Sequence, residues 1–148
     1  MGEPAPKPLV LFLCTANSAR SQMAEAILRR RAGHRFEVAS AGLEPKQVHP
    51  MTLQVLHEAG EPTHGLRSKP TTEFLGKVKV RYAIAVCEKA QPSCPRVFPF
   101  AGQMLYWPFE DPAACQGNQR ERLEKFREVR DAIAERIDLW LSELGDTQ

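Results

Sequence analysis

Absences in this 148-residue chain narrow its function before any motif is read. It has no hydrophobic run able to span a bilayer. The apolar stretch Val10-Leu11-Phe12-Leu13-Cys14 follows a polar, proline-rich start and falls far short of the roughly 20 residues a transmembrane helix needs. No secretory signal is visible in its polar, proline-rich start, and none is expected. Met1-Gly2 is followed by Pro4, Ala5 and Pro6, with no Ser or Thr where a myristoylation signal would place one. A cytoplasmic location is the expectation, with no membrane partner. Charge of one sign is also lacking: the net charge is +2 and no basic run is interleaved with aromatics, which argues against nucleic acid. The arginines of LRRRAGHR read as the solvated face of a helix and its exit. Cysteine is scarce, and four in such a chain read as chemistry or core before structural disulfides. His34, His49, His57 and His64 show no ligand spacing with one another or with a cysteine pair, so they read as surface or helix-end residues and no metal is expected. There is no repeat or linker to divide the chain. One domain over residues 1–148 is expected, with residues 1–7 a flexible tail.

What is present has the pattern of an α/β domain. The length allows a real core, and 43% hydrophobic with 26% charged residues is ordinary for a globular protein. Leu9 to Leu13 is wholly apolar, as a strand buried on both faces of a parallel sheet must be. Phe36 to Ala39, Tyr82 to Val86 and Met104 to Trp107 are further short strands. Ser21 to Arg31 places Met23, Ala24, Ile27 and Leu28 on one side of a helix. Met51 to Ala59 is a second helix, stopped by Gly60 and Pro62. Arg120 to Leu144 is a third, with Phe126, Val129, Ile133, Ile137, Trp140 and Leu141 as its apolar stripe. Alternating strands and helices give a doubly wound sheet, because parallel strands need crossover helices. In such sheets ligands bind beyond the carboxyl ends of the strands. Cys14 and Cys87 both stand at that edge.

The stretch Cys14-Thr15-Ala16-Asn17-Ser18-Ala19-Arg20-Ser21 has the parts of an oxyanion site. A thiol attacks only as thiolate. A loop turning into a helix can aim successive backbone N–H groups at one tetrahedral oxyanion, and the helix dipole favours negative charge there. Arg20 can hold two oxygens at once, and the Ser21 hydroxyl can donate to the sulfur. The plainer alternative is a core cysteine beside a helix-capping serine.

CTANSARSQMAEAIL resembles the active-site loop and first helix of the low-molecular-weight tyrosine phosphatase fold. More narrowly, NSARSQMAE followed by VASAG, VCEKAQPSCP and WPFEDPA resembles the thioredoxin-coupled arsenate reductases, from about Val10 to the last helix. The resemblance implies a four-stranded parallel sheet with helices on both faces. It makes Cys14 the nucleophile, with Arg20 and the amides of the loop holding arsenate. Phosphate or sulfate would compete as oxyanions of like shape. Asn17 would brace the loop. Many members carry glycine where Ala16 stands, which alanine tolerates only at negative φ. Ala19 replaces a cysteine of some relatives.

The loop is common to phosphatase and reductase, so Cys87 and Cys94 must separate them. The resemblance implies a relay: Cys14 forms a thiol–arsenic adduct, Cys87 attacks Cys14 and expels arsenite, and Cys94 attacks Cys87. Thioredoxin then reduces the Cys87–Cys94 disulfide, and no bound cofactor is required. The intervening Glu88-Lys89-Ala90-Gln91-Pro92-Ser93 is polar and suits a segment that changes conformation with redox state. Cys115 stands outside this pattern. Asp111, in a loop after a strand, is the candidate general acid for the leaving oxygen, with Glu110 its rival. Ala113 and Ala114 follow where family phosphatases place an aromatic, which favours a small inorganic oxyanion. Trp107 and Phe109 read as packing residues.

Some arsenate reductases resembling this chain bind potassium through residues matching Asn17, Glu25 and Ser40 and a later aspartate. Lys69 falls about where that aspartate would be, and its ammonium would take the ion's place and hold Glu25. A phosphatase of the same fold and a non-catalytic oxyanion or redox sensor stay open beside the reductase. A monomer is the expectation.

Overall fold

The computed structural model describes residues 6–88, 94–95 and 97–145. Strands β1 (Leu9–Cys14), β2 (Glu37–Gly42), β3 (Tyr82–Ala85) and β4 (Gln103–Tyr106) form one parallel sheet in the order β2-β1-β3-β4. Helices α1 (Arg20–Ala32), α2 (Pro50–Glu58) and α3 (Gln119–Leu144) are joined by one-turn 3₁₀ helices at Thr71–Glu73 and Pro112–Ala114. The central position of β1 explains its unbroken apolar run. Val10 and Phe12 face one core cluster, Leu11 and Leu13 the other, and all four are fully buried.

All three α-helices share the first cluster. Its stripe from α3 is Phe126, Val129, Ile133, Ile137 and Trp140, as the helical spacing predicts, with Leu141 half-buried at its margin. Trp140 stacks on Phe36 at 5.7 Å between ring centroids and meets Tyr82 and Trp107 edge-on at 5.1 and 5.6 Å. An Asn118–Glu121 capping box starts α3. Among the described residues the second sheet face is covered differently: Phe74, just after the 3₁₀ turn, packs there with Val80, Phe98 and Ala101. Among the described residues the three α-helices pack on the first side, and the 3₁₀ turn at Thr71–Glu73 leads into the second.

Several strand ends shift by a residue from expectation, and the carboxyl ends of β2 and β3 bear on the site. β2 runs on through Ser40-Ala41-Gly42, three small residues past the expected end at Ala39. They are small because the loop after β1 lies against them: Gly42 pairs with Cys14 and bridges to Pro70. β3 ends at Ala85, though the Val86 N–H still donates to Leu13 O at 2.9 Å. Of the expected tail, residues 1–5 lie outside the described residues. Lys7 donates to Gly33 O at 2.8 Å. No helix among the described residues is long and apolar enough to cross a membrane.

Candidate active site

The loop between β1 and α1 is held from outside by its own carbonyls. Thr15 O accepts from Glu44 N (2.8 Å), and Ala16 O from Lys46 N (2.9 Å). Asn17 O accepts from Gln22 Nε2 (2.9 Å) and Ser68 Oγ (2.8 Å). Ser18 O accepts from His49 N and Thr52 Oγ1, both at 3.0 Å. In a trans peptide the N–H points opposite to its carbonyl, so the amides of residues 16 to 19 turn inward together. Asn17 N accordingly lies 3.2 Å from Cys14 Sγ. Asn17 sits at φ 51°, in the left-handed region that asparagine tolerates better than most residues, while Ala16 is not in that region. The helix begins at Arg20 with Ala19 as its cap and no capping side chain. Ser21 therefore lies inside the helix, and the positive helix end is left to the pocket.

Donors and acceptors around the sulfur can be assigned. Asn17 Oδ1 accepts the Lys69 backbone N–H at 2.8 Å, which fixes the amide's orientation. Its Nδ2 then donates to Ser21 Oγ (2.8 Å) and Ser40 Oγ (2.9 Å). The Ser40 hydroxyl donates to Glu25 Oε1 at 2.6 Å. Ser21 directs its own toward Cys14 Sγ at 2.9 Å. Cys14, Asn17, Ser21, Glu25 and Ser40 are all buried. Glu25 Oε2 pairs with Arg29 at 2.5 Å, and Lys69 Nζ lies 3.7 Å from Glu25 Oε1 while donating to Arg67 O at 2.7 Å. Burial pushes the Lys69 ammonium below the usual lysine range, and Glu25 opposes that shift.

A cleft of about 570 Å³ opens over Cys14 and is walled by Arg20, Lys46, His49 and Asp111. The Arg20 guanidinium is buried, donates to Phe109 O at 3.1 Å and stands 3.8 Å from Asp111 Oδ2. Asp111 Oδ1 caps the following 3₁₀ turn through Ala113 N at 3.0 Å, so Oδ2 is the oxygen on the Arg20 side. Glu110 pairs instead with Lys125 at 3.2 Å on an exposed surface. Trp107 is buried against Phe12 and Trp140.

Because Leu13 pairs with Ala85, Cys87 lies one residue beyond the level of Cys14 on the neighbouring chain. Cys87 and Cys94 form a disulfide with Cα atoms 5.7 Å apart, whereas Cys14 and Cys115 are free. Cys87 is fully buried and Cys94 is 6% exposed. Most of the intervening segment expected to change conformation, residues 89–93, lies outside the described residues. Among the described residues no group of three or more His, Cys, Asp or Glu is arranged to hold a metal ion.

Sequence reasoning passed over three residues. Gly42 touches the loop so closely that a Cβ there would stand 2.6 Å from Thr15 O. Gln22 ties Asn17 O to Arg67 O, its Nε2 standing 2.9 Å from each. His49, a helix-end residue as expected, also walls the cleft: its Nδ1 accepts Met51 N at 3.0 Å and its ring stacks 4.8 Å from Phe126. The signal was there, since a residue with a side-chain acceptor before Pro50 is a helix N-cap.

A cysteine beneath a ring of inward amides, with a buried arginine and a facing carboxylate at the carboxyl edge of a parallel sheet, is the arrangement that a nucleophilic oxyanion site requires. The profile of the low molecular weight phosphotyrosine protein phosphatases matches residues 9–148, and the chain belongs to that family. An arsenate reductase from Bacillus licheniformis is 35% identical over 134 residues, covering 88% of this chain and 93% of its own. A solved arsenate reductase in a phosphate-binding state superposes with a TM-score of 0.76 at 29% identity, covering 92% of this chain and 98% of that one. A thioredoxin-dependent arsenate reductase from Corynebacterium glutamicum gives 0.59 at 28% identity, covering 94% of this chain and 66% of the other.

Proposed function

We propose that this protein reduces arsenate to arsenite through a three-cysteine relay that an external dithiol regenerates. The Cys14 thiolate attacks arsenic(V), and an oxygen leaves as water after Asp111 protonates it. The loop amides and Arg20 hold the remaining oxygens. The Cys87 thiolate then attacks Cys14 Sγ. The sulfur–arsenic pair departs with arsenic as arsenite, now arsenic(III), leaving a Cys14–Cys87 disulfide. Cys94 attacks Cys87 Sγ, frees Cys14 as thiolate and forms the Cys87–Cys94 disulfide. A thioredoxin-type dithiol returns the two electrons and is itself oxidised to a disulfide.

The observation that carries this reading is the Cys87–Cys94 disulfide beside a free, buried Cys14. It is the resting oxidised end of such a relay, and phosphoester hydrolysis has no use for it. In this reading Asn17, Ser40, Glu25 and Lys69 are positioning residues. The Lys69 ammonium holds the Glu25 carboxylate, which through Ser40 orients the Asn17 amide. The protein works as a cytoplasmic monomer with no resident cofactor. The phosphatase reading rests on the loop and the family fold, neither of which calls for the distal cysteine pair.

The test is arsenate-dependent NADPH oxidation with thioredoxin and thioredoxin reductase, run beside hydrolysis of a small aryl phosphate. Strong arsenate turnover with feeble hydrolysis is expected. The reverse would make the protein a phosphatase and the two distal cysteines incidental.

A further inference from the structure

His49 is tied down at the edge of the Cys14 cleft. Its backbone N–H donates to Ser18 O at 3.0 Å, on the outer side of the oxyanion loop. Its Nδ1 accepts the Met51 N–H at 3.0 Å, and its half-buried ring packs 4.8 Å from the fully buried Phe126. Capping α2 needs a single acceptor, and Ser, Thr, Asn and Asp are the residues that ordinarily supply it. Capping therefore does not account for an imidazole here. With Nδ1 accepting, the proton of the neutral ring sits on Nε2, the ring nitrogen farther from the backbone. The charged groups around the ring are Asp111 from the loop after β4, Arg122 from α3, and Lys46, which walls the same cleft. Burial and Arg122 lower the imidazole pKa while Asp111 opposes them, so the ring is neutral at physiological pH.

The direction of attack places a demand on that cleft. A nucleophile beneath the loop expels the oxygen in line with it on the far side. The inward amides and Arg20 hold the other oxygens, so the leaving one points out into the cleft that Asp111 and His49 wall. Resting on the functional reading above, we infer that His49 is a catalytic donor, its Nε2–H hydrogen-bonding the arsenate oxygen that Asp111 protonates and that departs as water. Asp111 supplies the proton and His49 keeps its own, so the step balances. The role needs a neutral ring. A histidinium would favour the ionised form of Asp111 and release the Met51 N–H. A donor fixed before the substrate arrives costs no reorganisation as charge develops on the oxygen. Lys46 is the rival on the same wall, but it is exposed and its ammonium rides on a flexible stem.

Two amides dissect the imidazole. His49→Asn keeps an acceptor near the place of Nδ1 and loses the outer N–H. His49→Gln carries an N–H to about the reach of Nε2 and loses the cap. With thioredoxin saturating, kcat for arsenate should fall about tenfold or more in His49→Asn while KM stays within about threefold. His49→Gln should recover most of that loss despite a lower melting temperature. Histidine nitrogen NMR of the labelled parent gives a readout independent of turnover. The signal missing from His49→Asn should report the Nε2–H tautomer and should shift as inorganic phosphate is titrated into the loop, followed at the Asn17 amide. Unchanged kcat in His49→Asn, equal losses in both variants, or a His49 signal that ignores phosphate while the Asn17 amide responds would each overturn the assignment. Absence of arsenate turnover in the parent would instead count against the relay, and the phosphate shift would still decide His49.

Discussion

Asn17 Nδ2 donates to Ser21 Oγ at 2.8 Å, and that same oxygen lies 2.9 Å from Cys14 Sγ. Since Ser21 Oγ accepts from Asn17, its single proton is free for the sulfur. One amide thus sets the direction of the hydroxyl that lies between it and the Cys14 sulfur. Its second proton orders Ser40, and its carbonyl reads the backbone of Lys69. The side chain that shapes the loop also polarises its thiol.

Asn17→Gly separates these effects from backbone strain, because glycine adopts φ 51° freely. The variant is expected to lose about 1–3 kcal/mol from the unsatisfied buried partners. Its arsenate kcat/KM should fall about 100-fold, the scale of a small misplacement of reacting groups. Denaturant melts and steady-state kinetics on the same preparation measure both. Unchanged kinetics in a destabilised variant would make Asn17 purely structural.

Much of the site was legible in the chain because its chemistry is local in sequence. Cys14 through Ser21 is one contiguous run, and strand and helix periodicities flank it. The buried stripe of α3 followed from its spacing alone. What was hidden depends on contacts across the fold. Nothing near Gly42 in sequence announces that the loop at Thr15 presses on it, and the expected strand stops at Ala39 where the real one runs on to Gly42. The covering of the second sheet face was hidden for a related reason: Phe74 and Phe98 carry no period, and only tertiary packing shows that they cluster with Leu11 and Leu13. His49 looked incidental because its role as cap is local but its place in the cleft is not.

Gly42→Ala is predicted to cripple activity while largely sparing the fold. The added Cβ meets Thr15 O at 2.6 Å and Asn17 N at 2.9 Å, both backbone atoms that cannot swing away. The loop must shift by a fraction of an ångström or more, enough to cost about 100-fold in rate by misalignment. Arsenate turnover should fall accordingly while the circular dichroism spectrum stays native. Parental turnover in Gly42→Ala would show that the loop is not held to that tolerance.

His49 gives the fold a pH dependence with a defined sign. Burial lowers its pKa from the ordinary value, Arg122 lowers it further, and Asp111 opposes both. The unfolded chain therefore binds the proton more readily than the folded one. Stability is full above the unfolded histidine pKa of about 6.5 and is lost as pH falls through the folded value. Protonation at Nδ1 also ends its acceptance of Met51 N, uncapping α2. His49→Asn keeps a capping acceptor without a titrating group. Urea melts from pH 7.5 to 5 should show a smaller acid loss in that variant, and equal slopes would assign the loss elsewhere.

Lys69 is expected to make the parental protein indifferent to monovalent cations. Its Nζ already stands 3.7 Å from Glu25 Oε1 and 2.7 Å from Arg67 O, where a cation would find its oxygen donors. Truncation in Lys69→Ala leaves those oxygens without the ammonium, although Arg29 still pairs with Glu25. Activity of the variant should fall, and potassium should restore part of it better than sodium. A several-fold potassium stimulation of the parental enzyme would sink the assignment.

The relay orders its disulfides, and Cys94→Ser should stop it after the first, Cys14–Cys87, and before the second, Cys87–Cys94. Arsenate then reacts at Cys14, Cys87 expels arsenite, and no third sulfur arrives to free Cys14. With protein dithiol present but small thiols absent, the variant should release about one arsenite per chain and stall. Peptide mapping should find Cys14 joined to Cys87, because the two lie at adjacent strand ends whose pairing, Leu13 with Ala85, places them one residue out of level. Cys87→Ser should release no arsenite yet keep any aryl phosphate hydrolysis, since the oxyanion loop is intact, whereas Cys14→Ser should abolish both. Sustained turnover by Cys94→Ser with thioredoxin would mean that the partner reaches the Cys14–Cys87 disulfide directly. The observed Cys87–Cys94 bond would then be a side product and not a step.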